Sequence, residues 1–157
     1  MNTSILDAIH KGDLEVLYTL EKKLILDKFH YFFEACSTNN PSVVLYFISI
    51  FGKTIINSID IKGNTPLHIA CFIGTIKIAR ILYFNGANIN TLNIDYHTPL
   101  MVSIIKGHLN IIQWLLPIRH GLNKPHDYPL LERIASKSGY IHVQNDIYLS
   151  KISELLG

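Results

Sequence analysis

A charge excess is missing from this sequence: 14 lysines and arginines stand against 12 aspartates and glutamates, a net of only +2. That balance supplies no broad phosphate-neutralising stripe, so no nucleic-acid partner is expected. Cysteine is scarce as well. Cys36 and Cys71 lie 35 residues apart inside helix-like patterns rather than in the closely spaced pairs of a secreted framework, and they read as reduced, buried apolar groups. No apolar run is long enough to cross a bilayer, and Met1 to Asp7 lacks the basic start and long apolar core of an export signal. A soluble protein of the reducing cytosol, with no membrane partner, is the expectation. The constellations that carry catalysis are missing too. The eight histidines are scattered, and no pair has the His-x-x-x-His spacing that presents two zinc ligands on one helix face. His120 and His126, flanking a loop-like segment, are the remaining metal alternative. No glycine-rich phosphate loop follows a strand, and no serine or cysteine has a base at suggestive spacing. No catalytic residue, cofactor or metal site is expected.

What the chain does contain is a repeat. Thr65-Pro66-Leu67-His68, Gly74 and Asn90 recur as Thr98-Pro99-Leu100-Met101, Gly107 and Asn123, each pair 33 residues apart. Self-similarity at that period predicts a stack of turn-plus-two-helix units, each burying its apolar face against the next. The 157 residues leave room for about four to five such units around one core. Ala8 to Gly12, Ala70 to Gly74 and Ala135 to Gly139 share one step, a small residue followed four places later by a glycine, and mark helix-to-helix turns. Thr65 suits an N-cap, Pro66 the first helical position, and Leu67 the start of the buried stripe. Ile76, Ile78, Ala79, Ile81 and Leu82, copied as Leu109, Ile111, Ile112 and Leu115, are spaced to fill a helix-on-helix interface. His68 reads as a residue bonded within its own turn, with a metal or proton-transfer role as the sharper alternative.

The run Asp60 to Ala70, followed by Gly74 and by Gly86-Ala87-Asn88-Ile89-Asn90, resembles the consensus of the ankyrin-repeat family. That resemblance implies an all-α ankyrin-repeat solenoid of helix–turn–helix units with short β-hairpin loops. One domain over 1–157 is expected, with units near 1–24 as a cap, 25–57, 58–90, 91–123 and 124–157 as a second cap. Helices are expected near Ser4 to His10, Leu14 to Lys22, Tyr31 to Thr38, Pro41 to Ile50, Leu130 to Lys137 and Ile141 to Leu155. Two units depart from the pattern. In the second, Tyr31-Phe32-Phe33-Glu34 replaces Thr-Pro-Leu-His, and Asn39 replaces the glycine. In the fourth, Tyr96 stands at the hairpin position of Gly63, Met101 replaces the histidine and Ser103 the alanine, which predicts a strained or reshaped turn. Pro117 stops the second helix of that unit, and two residues are inserted within Pro117 to His120. Ile118, Arg119 and His120 then form either a contact protrusion or mere drift near a capped end.

In the family's architecture, hairpin tips and inner helices line a concave surface. Carried onto the two clear copies, the resemblance implies partner contacts at Ile61, Lys62, Asn64, Phe72 and Ile73, and at Ile94, Asp95, His97, Ile105 and Lys106. Apolar residues rimmed by polar ones fit a protein-binding face. The alternative is that Phe72 and Ile73 tuck between units and that the isoleucines serve only pairing of the tips. The resemblance implies a non-catalytic protein-protein interaction module, monomeric and cytoplasmic. Abundant isoleucine, asparagine and lysine, as in an AT-rich genome, make it look like the host-directed ankyrin proteins of intracellular bacteria or viruses, acting in the host-cell cytosol. One rival is a cytosolic inhibitor that sequesters a transcription or signalling factor. Another is a substrate, because Leu82 precedes Asn90 by eight residues and so resembles a hydroxylated ankyrin asparagine, although Asn88 replaces the usual acid.

Overall fold

A computed structural model of the chain describes residues 4–118 and 128–137, together with 139 and 147. Its helices are α1 Ile5–Lys11, α2 Leu14–Thr19, α3 Glu21–Leu24, α4 Lys28–Ser37, α5 Pro41–Phe51, α6 Pro66–Ile73, α7 Ile76–Phe84, α8 Pro99–Lys106, α9 Leu109–Leu115 and α10 Tyr128–Lys137. Single 3-10 turns sit at Ile25–Asp27 and Gly52–Ile55. No strand occurs among the described residues.

The starts of these helices are written locally. Ser4 accepts from the Asp7 amide while the Asp7 carboxylate reaches back to the Ser4 amide, a reciprocal capping box. Thr65 and Thr98 cap α6 and α8 in the same way as each other, each accepting from the amide three residues on and followed by a proline that needs no donor. Asp13 and Asn40 cap α2 and α5.

Two rows follow from the packing. Helices α1, α4, α6, α8 and α10 contact one another in succession as the inner row, and α5, α7 and α9 form the outer row behind them, each paired with its own inner helix. Between the rows lies one continuous core that includes Leu17, Phe32, Phe47, Leu67, Ile78, Leu82, Ile104, Ile111 and Leu131, all fully buried. Cys36 and Cys71 are in it as free thiols, and burial pushes both thiols well above their ordinary range.

Three expectations need adjustment. The second helix ends at Thr19 rather than Lys22, because the chain breaks at Leu20 and restarts as α3. Helix α4 begins at Lys28, a turn before Tyr31: no capped tip precedes it, and the chain enters straight from the 3-10 turn. Leu109, expected in the interface, is 38% exposed at the first position of α9. The helix expected over Ile141 to Leu155 lies outside the described residues except Ile147, which is helical and buried.

Candidate partner-binding surface

The tips are built by one side chain each. Asp60 Oδ1 accepts from the amides of Lys62 and Asn64, both at 2.8 Å, and Oδ2 accepts from Asn64 Nδ2 at 3.0 Å. Gly63 closes that turn with its amide on the Asp60 carbonyl and a φ of 70°. One unit later Asn93 takes over, its Oδ1 accepting from Asp95 and His97 amides at 3.0 Å. Tyr96 must then occupy the position of Gly63, and does so at φ 59°, the only non-glycine residue with positive φ among those described. The strain expected of this turn is therefore present, while the bonds from one side-chain oxygen to the second and fourth following amides are kept.

The two tips are tied together. Asn93 Nδ2 donates to Asn64 Oδ1 at 2.9 Å, and the Ile94 amide to the Lys62 carbonyl at 3.0 Å. His68 adds a buried tie. Its Nδ1 accepts from the Thr65 amide at 3.0 Å, which leaves Nε2–H to donate to the His97 carbonyl at 3.0 Å. Burial lowers its pKa, against the opposing pull of the His97 carbonyl and the Asp60 carboxylate. His68 thus bonds within its turn, as expected, and also across to the next unit. At the other end of α6, His108 Nε2 lies 3.0 Å from the Phe72 carbonyl, and its ring sits so close to Gly74, itself at φ 92°, that an added Cβ would come within 2.6 Å of it.

Of the expected contact residues, Ile61 and Ile94 project from the tips, 98% and 63% exposed, with Lys62 and Asp95 exposed beside them. Phe72 and Ile73 are half exposed, so neither is swallowed between units. The Phe72 ring carries the Lys106 ammonium of the next unit 4.0 Å from its centroid, a cation–π contact. Asn64, His97 and Ile105 are half-buried, and Asn64 is held in the bond between tips. Lys62, Asn64, Phe72, Asp95, His97, Ile105 and Lys106 come together around one cleft of about 290 Å³; Ile61, Ile73 and Ile94 lie outside it.

Sequence reasoning missed two features. Ile59 and Leu92, 63% and 52% exposed, extend the row of tip aliphatics; their signal was the same 33-residue offset, two places before Ile61 and Ile94. A second cleft, about 380 Å³, lies between the fourth unit and α10, where Tyr96 and Met101 face Arg133, Ile134 and Lys137. No sequence signal joined α10 to that wall. Ile118 packs against the core; Arg119, His120, Asn123 and His126 lie outside the described residues. Leu82 is fully buried, and the Asn90 amide donates to Asn88 Oδ1 at 2.9 Å in the loop after α7.

Among the described residues no three His, Cys, Asp or Glu side chains are placed to hold a metal, and no helix is long and apolar enough to cross a membrane. What the surface offers is shape, exposed apolar groups and fixed charge.

The family model described as ankyrin repeats (3 copies) matches residues 5–93 and again 32–128. Ankyrin repeat domain-containing protein 13B of Mus musculus is 32% identical over 68 residues, 43% of this chain and 11% of that protein. The DNA replication inhibitor plutonium of Drosophila melanogaster is 36% identical over 61 residues, 39% of this chain and 35% of that protein. A transient receptor potential cation channel subfamily A member 1 homolog of Caenorhabditis elegans is 33% identical over 64 residues, 41% of this chain and 5% of that protein. The chain spans only a minor part of each of these relatives.

Proposed function

The chain belongs to the ankyrin-repeat family, and from that premise we propose that it is a non-catalytic binding module that grips a partner protein with its tips and inner helices. Repeats of this family generally mediate protein–protein interaction, and the relatives include regulatory proteins. The observation that carries the choice of face is the cleft of about 290 Å³ between the two tips and α6 and α8, in which half-exposed Phe72 lies under Lys106. A large aromatic at a concave wall with polar neighbours is the usual anchor of a protein interface.

The test is affinity capture with the Phe72→Glu/Ile105→Glu variant as control. Both side chains are partly exposed, so the expected outcome is a nearly unchanged melting temperature with capture abolished. Unfolding of the double variant would return these residues to the core; unchanged capture in a folded variant would move the interface elsewhere.

A second reading, an inhibitor that sequesters a regulatory factor, is favoured by the match to a protein named as a DNA replication inhibitor. Identification of the captured protein as such a factor tests it. Cytosolic action rests on the two buried thiols, and a host-directed role rests on composition alone.

A further inference from the structure

The two clefts adjoin, and together they form one surface. They share Asp95, His97 and Ile105 as lining, so together they reach from the tip of the third unit past α8 to α10. The charge of this surface is lopsided. Lys62 and Lys106 line the first part, Arg133 and Lys137 the second, and Asp95 is the one carboxylate among the described residues that line either. Asp60 lies behind Lys62, with both of its oxygens bonded inside the tip.

Arg133 and Lys137 are four residues apart on α10, so both side chains fall on one helix face and present two cations one turn apart. Apolar side chains accompany the cations in both clefts, Ile69, Val102 and Ile105 in the first and Met101, Ile105 and Ile134 in the second. A low-dielectric wall lined by one sign of charge concentrates its field in the cleft and raises the local concentration of opposite charge.

We propose, building on the binding-module reading, that this surface takes an extended acidic segment of a partner protein, with carboxylates paired to the cations and apolar or aromatic side chains on the apolar residues. An acidic peptide fits the combination of charge and apolar surface. A nucleic acid would require a longer cationic track and has no use for the apolar residues.

The test measures fluorescence anisotropy of a labelled glutamate–tyrosine copolymer, with a lysine–tyrosine copolymer, polyglutamate and an oligothymidylate as comparisons. The glutamate–tyrosine copolymer should bind tightest, and added salt should weaken it. Arg133→Glu/Lys137→Glu should weaken it by about tenfold or more, and Arg133→Gln/Lys137→Gln by less. Lys77→Glu, on the exposed side of α7 and outside both clefts, should leave binding unchanged. Melting curves check that each variant is folded, and the glutamine pair serves if charge reversal perturbs α10. No binding of the acidic copolymer, equal weakening by Lys77→Glu, or tighter binding of oligothymidylate would overturn the proposal. So would concentration-dependent dimers abolished by the Arg133 and Lys137 changes, which would assign the surface to a second copy of the chain. If the copolymers fail while capture still depends on Phe72 and Ile105, the acidic partner is wrong and the binding module stands.

Discussion

His68→Ala removes a side chain that is 1% exposed and joins two repeats. Two backbone groups lose a bond: the Thr65 amide, buried at the start of α6, loses its partner, and the His97 carbonyl in the adjoining unit loses one of its two donors. A buried polar group left unsatisfied costs about 1–3 kcal/mol. The Thr65 amide bears that penalty in full, whereas the His97 carbonyl keeps its bond from the Asn93 amide at 3.1 Å. Together with the space vacated by the ring, the expected destabilisation is about 2–4 kcal/mol, a large share of a total near 5–15 kcal/mol. Urea unfolding of both proteins measures it.

The pH dependence separates this account from simple loss of packing. The folded pKa of His68 lies below its ordinary value of 6.5, chiefly through burial. Its stabilisation is therefore complete above that value. As pH falls below it, the unfolded chain takes up a proton that the folded chain refuses, and stability drops by up to about 1.4 kcal/mol per pH unit until the lowered folded value is reached. The alanine variant lacks this group, so its deficit should shrink as pH falls from 7 toward 5. A deficit that stayed constant, or grew, would refute the neutral, doubly bonded imidazole.

Tyr96→Gly should stabilise the protein by about 0.5–1 kcal/mol, because relief of roughly 1–2 kcal/mol of left-handed strain outweighs the added entropy of the unfolded chain; the ring is 78% exposed. Thermal unfolding at a lower temperature than wild type would show that the ring is held by contacts in the cleft. Thr98→Ala deletes the cap of α8 and should cost about 1 kcal/mol in urea. Leu82→Ala, at a fully buried site, should cost about 2–5 kcal/mol, and retention of wild-type stability would displace α7 from the core. Cys36 and Cys71 should resist an aromatic disulfide reagent until denaturant opens the stack, since both are buried and their thiolates disfavoured; rapid reaction in buffer would contradict the packing.

The sequence alone determined the period, the all-α class and the local devices: threonine caps before prolines, turn glycines after α1, α6 and α8, and the apolar spacing of α7. These depend on residues within a few positions of one another, and a repeat prints them twice. It also marked Tyr96 as anomalous, because its copy is a glycine. Only the tertiary structure decided what happens between units. That Lys106 lies on Phe72, that His68 reaches the carbonyl of His97, and that the cleft lined by Arg133 and Lys137 adjoins the one lined by Lys62 all depend on how far each unit is shifted and rotated against its neighbour. That offset is set by the summed packing of two helix rows, and residues about 30 to 70 positions apart in the chain carry no local mark of meeting.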